Sequence, residues 1–234
     1  MFSKINAIKG VEQISPETVN LSATSASAEV VLTPSAMTMP IKGTEYSITI
    51  SLVNGATAIT SGTVGDFINE FKIMQGSKTL LNISNISQLE AFFHIKNGTT
   101  LSDVNLPTTA SPRSSATLQL KLPFRIALGA QVSFKFKFNG YNNAISGGSV
   151  TNGTATVSMA VYYSNSQATT SEAWEILPTP VSLGADVDIN LGSYLGNQKP
   201  IFELWTQVSA DSGLNYYKFE IGKETIFDVY PVDM

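Results

Sequence analysis

The chain has no cysteine and one histidine, His94. Without thiols there is no disulfide, no thiolate nucleophile and no zinc–thiolate or iron–sulfur site. Stability must therefore come from packing and from contacts between subunits. A lone histidine cannot build a multi-histidine metal cage, and a Ser-His-Asp relay on it would still need a partnered nucleophile. Charge is also scarce. Asp, Glu, Lys and Arg make up 14% of the 234 residues, well below the usual quarter, and Ser, Thr, Asn and Gly fill the gap. Such a surface is either polar and weakly charged or largely covered by neighbouring copies. A net charge of -4 gives no basic face to displace counterions, so direct nucleic-acid binding is not expected. No apolar run approaches the ~18 residues of a membrane span. The opening "MFSKINAIKG" has lysines but no apolar stretch of signal-peptide length behind it, which predicts synthesis in the cytoplasm without a Sec signal. Nucleophile-elbow, Walker and dinucleotide patterns are missing too.

What is present is alternation. Hydrophobic residues are 43% of the chain, enough for a core, and they recur with period two. In "YSITISLV", Tyr46, Ile48, Ile50 and Leu52 share one face; in "ATLQLKLPFRI", Leu118, Leu120, Leu122, Phe124 and Ile126 do. "VSFKFKF" and "TVSMAVYY" repeat the pattern through Val132–Phe138 and Val157–Tyr163. One buried and one polar face per strand is the signature of antiparallel sheets on a common core. Further strands are predicted at Glu29–Leu32, Phe71–Met74, Thr79–Ile83, Asp186–Leu191, Phe202–Val208, Tyr216–Ile221 and Thr225–Tyr230. Pro123 faces outward, which predicts an edge strand or a bulge there. "NGYNNAISGGSVTNG" and "LPTTASPRSS" read as long surface loops. One segment, "SNISQLEAFFHIKNG", has helical spacing, with Asn85 or Ser84 as N-cap and Asn97-Gly98 closing it.

Few residues carry candidate chemistry. Asp186 and Asp188 lie on one strand face, about 7 Å apart from the strand rise. They could help hold a hard cation, against the plainer reading of a solvated strand face, and without an aromatic-lined cleft they are not a catalytic pair. His94, within the predicted helix, is expected to have a structural or surface role. Asn-x-Ser/Thr triplets begin at Asn20, Asn82, Asn85, Asn97 and Asn152; so Asn-, Ser- and Thr-rich a chain generates them by chance. Trp174 and Trp205 could stack on sugars, but Trp205, on a predicted outer face, suits a subunit contact at least as well.

The order strand, "FKIMQGSKTLLNIS" hairpin, helix "SQLEAFFHIKNG", long loop, "ATLQLKLPFRI", "QVSFKFKF" and "ATVSMAVYYS" resembles the first barrel of the double jelly-roll major capsid proteins. These build the shells of tailless, membrane-containing phages (the tectiviruses, corticoviruses and their small relatives) and of adenovirus. After the linker "EILPTPVSLG", the hairpin-like "YYKFEIGKETIFDVY" parallels "EFKIMQGSKTLLNIS" about 145 residues on, a weak internal repeat. The resemblance implies an all-β fold: a jelly-roll (Greek-key) barrel with one short helix, followed by a second, shorter jelly-roll-like unit. It divides the chain into an N-terminal arm (1–27), a first barrel (28–166), a linker (167–182) and a second, incomplete unit (183–234).

The resemblance further implies a non-enzymatic virion protein without a cofactor, forming homotrimeric pseudo-hexagonal capsomers in an icosahedral shell. Its partners would be neighbouring capsomers, penton and minor capsid proteins and an internal lipid membrane. Phe92, Phe93 and Trp205 become subunit-contact candidates. Phe2, Lys4, Ile5 and Lys9 give the arm a weakly amphipathic, basic character suited to a membrane or a neighbour. Two other classes compete: a carbohydrate-binding or adhesin-type β-sandwich, and a hydrolase on a jelly-roll scaffold, which the single histidine and unpaired carboxylates disfavour.

Overall fold

The computed structural model describes residues 8–26, 28–35, 39–109, 112–164, 170–174, 176, 217–221 and 224–229. The chain divides into two compact units, Met1–Ile176 and Leu177–Met234.

The first unit is a sandwich of two four-stranded antiparallel sheets. Its long strands are β1 (Ile8–Leu21), β2 (Ala28–Leu32), β3 (Ile41–Asn54), β5 (Ile68–Gln75), β6 (Lys78–Ile83), β7 (Arg113–Leu122), β8 (Val132–Phe138) and β10 (Val150–Ser164). Two-residue strands β4 (Ser61–Gly62) and β9 (Ile145–Ser146) pair with each other. The first sheet runs β1-β10-β3-β7 and the second β2-β8-β5-β6. Successive long strands thus cross between sheets, except in the β5–β6 hairpin, and the last pairs with the first. That order is the jelly roll.

The alternation explains the sandwich. The inward residues of β3 (Tyr46, Ile48, Ile50, Leu52) and of β8 (Val132, Phe134, Phe136, Phe138) are fully buried. At the centre, Tyr46 from the first sheet meets Phe71, Phe134 and Phe136 from the second, at centroid separations of 5.4, 6.0 and 5.2 Å and edge-on geometry. Its buried hydroxyl accepts a 2.8 Å hydrogen bond from Thr44 Oγ1 on the same strand, and burial pushes it well above the ordinary tyrosine pKa. The phenol therefore stays neutral, as an apolar centre requires.

Helix α1 (Ile86–Asn97) sits between β6 and β7. Its start is the expected one: Asn85 Oδ1 accepts from the Gln88 N–H at 2.9 Å, and Gln88 Oε1 accepts in return from the Ser84 N–H at 2.8 Å, a near relative of the capping box. Gly98 ends it in the left-handed region (φ 68°), its N–H bonded to the His94 carbonyl. Leu89 and Phe92 are the buried residues of the helix.

Two sequence expectations are corrected. Residues assigned to an N-terminal arm form β1 along Ile8–Leu21, paired with β10. Its alternation is interrupted by a register shift between Ile14 and Glu17, around Ser15-Pro16, which hides the strand from a period-two search. The supposed loop at 139–153 holds the short helix α2 (Tyr141–Ala144), β9 and the start of β10. Elsewhere, β7 is an edge strand of the first sheet, and Pro123 follows directly after it, exposed.

In the second unit the described residues form a hairpin of β11 (Tyr217–Ile221) and β12 (Glu224–Val229). Its register matches that of β5–β6. Gln75 pairs with Lys78 and Met74 with Thr79; Ile73 then pairs with Leu81, leaving Leu80 over. In the second hairpin Ile221 pairs with Glu224 and Glu220 with Thr225; Phe219 then pairs with Phe227, leaving Ile226 over. In both, two residues of which the first is glycine separate the strands in the sequence, and the register shifts at the same step.

Candidate assembly surfaces

The two outward faces of the sandwich differ in chemistry. On the second sheet, Glu29 pairs in register with Lys137, and Lys137 with Glu70; in the next row Val31, Lys135, Lys72 and Asn82 align. Lys72 bridges to Glu70 at 2.8 Å and Lys135 to Glu29 at 3.2 Å. Partly exposed ion pairs of this kind add little stability, but they keep a face wet.

The first sheet carries hydroxyls instead. Thr18, Thr156, Thr49 and Thr117 stand in register across all four strands, one row from β1 to β7. Beside them run Asn20, Thr154, Ser51 and Ser115, and on the other side Ser158, Ser47 and Gln119. Side chains bond across the strands: Thr18 to Thr156 at 2.8 Å, Thr49 to Thr117 at 2.7 Å, Ser51 to Ser115 at 3.0 Å, and Gln119 Nε2 donates to Ser47 Oγ at 3.0 Å. Charge enters at the ends, with Arg113 on one side and Glu45 and Lys121 on the other. There the Tyr162 hydroxyl donates to Glu45 Oε2 at 2.6 Å; this bond, with burial and the carboxylate's charge, raises the tyrosine pKa. Lys121 lies 5.5 Å over the same ring.

A second cluster fastens the segment after β10 to the barrel. The Glu172 N–H donates to the Arg125 carbonyl at 3.0 Å and the Trp174 N–H to the Leu80 carbonyl at 2.7 Å. Ser171 Oγ donates to Gln75 Oε1 at 2.6 Å and accepts from the Ala127 N–H at 3.0 Å. Lys96 of α1 bonds Glu172 at 2.9 Å and lies 5.2 Å over the Trp174 ring. Phe92 completes the group, its ring 5.6 Å from Trp174 and 6.2 Å from Phe124. Trp174 is thus half-buried and engaged within the unit rather than free to stack on a sugar.

A third cluster ties β1 down. Glu12 accepts from the Ser35 N–H at 2.8 Å and from the Tyr163 hydroxyl of β10. Burial pushes the Glu12 carboxyl up, but the bonds from Tyr163 and Ser35 outweigh it and hold the carboxyl below its ordinary value. Burial, together with the bond to Glu12 and its charge, pushes the Tyr163 hydroxyl well up.

These placements revise the candidate residues. Phe92 is 2% exposed and packs within its own unit against Trp174 and Phe124; at helical spacing only one of the adjacent phenylalanines can point straight at the barrel. Phe93 is half-buried against the same core, and His94 is exposed. Lys9 lies in the backbone of β1. Phe2, Lys4, Ile5, Asp186, Asp188, Trp205 and the strands predicted at 186–191 and 202–208 fall outside the described residues. Among the described residues no group of three His, Cys, Asp or Glu side chains could hold a metal, and no helix is long and apolar enough to cross a membrane. Two shallow hollows, of about 400 and 200 Å³, open near Leu128 and over Ala160. The Thr row, Lys96 and Glu172 escaped the sequence reading because their neighbours are set by register and by tertiary contact; the outward Thr and Ser positions between core residues were the available signal.

Neither a protein-family model nor a curated protein matches the chain. Among solved structures it is similar to the PBCV-1 virus capsid, at 13% identity and a TM-score of 0.45 over 70% of this chain and 44% of that one. It is also similar to the STIV MCP, at 14% identity and a TM-score of 0.42 over 64% of this chain and 48% of that one. A third is PBCV-1 VP54 fitted into a reconstruction of the virophage Sputnik, at 11% identity and a TM-score of 0.42 over 71% and 45%. The chain spans less than half the length of each. At these identities and scores the likeness is weak, and the jelly-roll assignment rests on the strand order itself.

Proposed function

We propose that this chain is a structural virion protein, a major capsid protein whose barrels assemble as trimeric, pseudo-hexagonal capsomers of an icosahedral shell. The observation that carries the reading is the eight-strand jelly-roll order with a capped helix inserted between its fifth and sixth long strands, the arrangement by which the sequence resembles the double jelly-roll capsid proteins. The matched registers of the two hairpins support a second jelly-roll-like unit beyond the linker, derived by duplication. On this reading the residues before β1 form the arm, toward a neighbour or an internal membrane. The partners are further copies of the chain, penton and minor capsid proteins, and the protein resides in the virion.

The test is the mass of the purified chain by size-exclusion chromatography with light scattering. A trimer or a larger closed assembly at micromolar concentration is expected. A well-behaved monomer overturns the reading, and a monomer that retains an oligosaccharide column ligand replaces it with the carbohydrate-binding alternative.

A further inference from the structure

We infer, on the assembly reading above, that the hydroxyl face of the first sheet is the surface by which one copy of this chain packs, face to face, on a second copy. The first ground is asymmetry. In a chain so poor in charge, the second sheet's outer face holds Glu29, Lys72, Lys135 and Lys137, in register and partly ion-paired. The first sheet's outer face has three successive rows without a charge. Depletion of charged residues is the compositional mark of an interface centre, because a buried charge needs a partner and a hydroxyl needs only a hydrogen bond.

The second ground is self-complementarity. Each hydroxyl is both donor and acceptor, so a Ser/Thr face matches another like itself in any local alignment. A two-fold contact sets a surface against its own copy, which would place a charged face near like charges; the Thr18–Thr156–Thr49–Thr117 row avoids this. Its cross-strand bonds also hold the side chains in fixed rotamers before contact, lowering the entropy lost on docking.

The third ground is area. Four strands at ~4.8 Å spacing and three rows at ~6.8 Å give an uncharged patch of about 400 Å². A stable pair needs about 800 Å² from each partner. The face is therefore too small to hold two free barrels together. It suits a contact between copies that other interfaces already bring side by side.

The absence of cysteine from the chain makes the test clean. Thr156→Cys and, separately, Val31→Cys on the charged face are treated with a short bis-maleimide on the assembled full-length protein. Covalent dimers are expected from Thr156→Cys and not from Val31→Cys. In parallel, Thr156→Arg is expected to weaken association through this face at least about a hundredfold, with circular dichroism and Tm unchanged; Thr156→Ser restores it. Equal cross-linking from both faces overturns the inference, as does a Thr156→Arg protein that assembles like the parent. So does a parent face that holds a soluble oligosaccharide and loses it in Thr156→Arg. A parent that is monomeric in light scattering overturns the assembly reading together with this one. A parent that assembles while Thr156→Arg has no effect overturns this one alone.

Discussion

Replacing Phe92 by alanine separates two accounts of the helix. The side chain is 2% exposed, between the rings of Trp174 and Phe124, with Leu89 one turn earlier on the same buried stripe. Truncating a buried phenylalanine costs about 3–5 kcal/mol, the sum of lost transfer energy and of the cavity left behind. Helix α1 lies at the edge of the core and can settle inward, so the lower end, about 3 kcal/mol, is expected. For a chain of this size each kcal/mol moves Tm by about 2–4 °C, so Phe92→Ala should melt roughly 6–12 °C below the parent. Urea unfolding followed by circular dichroism measures the loss, and light scattering at the same concentration measures assembly. Phe93→Ala, half-buried, is the internal control and should cost less than half as much. A Phe92→Ala protein that unfolds within ~0.5 kcal/mol of the parent yet loses its assembly state would refute the buried placement and restore Phe92 as a subunit contact.

Two more outcomes follow from the polar clusters. A double-mutant cycle of Lys96→Met and Glu172→Gln, read by urea unfolding, should give a coupling of roughly 0.5–2 kcal/mol, above an exposed pair because Lys96 is largely covered and also lies over Trp174; zero coupling would mean the segment after β10 is not fastened there. Glu12, held below its ordinary 4.5, contributes stability that is complete above about pH 4.5 and is lost as the pH falls through its lower folded value. Glu12→Gln should be less stable than the parent at neutral pH and show a shallower acid limb, and an unchanged acid limb would contradict the Glu12–Tyr163 bond.

Much of this fold was legible because it depends on period. Inward residues such as Ile48, Leu118 and Phe134 lie on the faces that alternation assigns them, and the helix begins and ends at the caps that Asn85 and Gly98 announce. What failed did so for local reasons. β1 carries Pro16 and a register shift, so no run of strict alternation is long enough to mark it. The polar stretch 139–153 reads as loop by composition, yet its backbone is ordered by tertiary bonds, among them Tyr141 N–H to the Ser22 carbonyl and Ser149 N–H to the Thr57 carbonyl. Phe92 and Phe93 read alike in the sequence, because apolar area on a helix does not say whether its own barrel or a neighbour covers it. The Lys96–Glu172 bond spans 76 residues and Ser171–Gln75 spans 96, distances at which sequence pattern is silent.

The bulge in β6 ties several of these features together. Strict alternation in "KTLLNI" would send one leucine outward; the extra residue lets Leu80 and Leu81 both be buried. The same shift leaves Leu80 outside the β5–β6 pairing, and its carbonyl takes the Trp174 N–H. One inserted residue therefore fills the core beneath the edge strand and supplies the acceptor that anchors the departing chain. In "ETIFDV" the apolar pair Ile226-Phe227 follows threonine at the same place, and the register slips at the same step. A two-residue glycine turn alone is common in hairpins. A glycine-led two-residue connection, a threonine, a doubled apolar pair and a bulge in one fixed order are a more specific pattern. On the duplication reading proposed above, the bulge in the second unit is the counterpart of the one in β6.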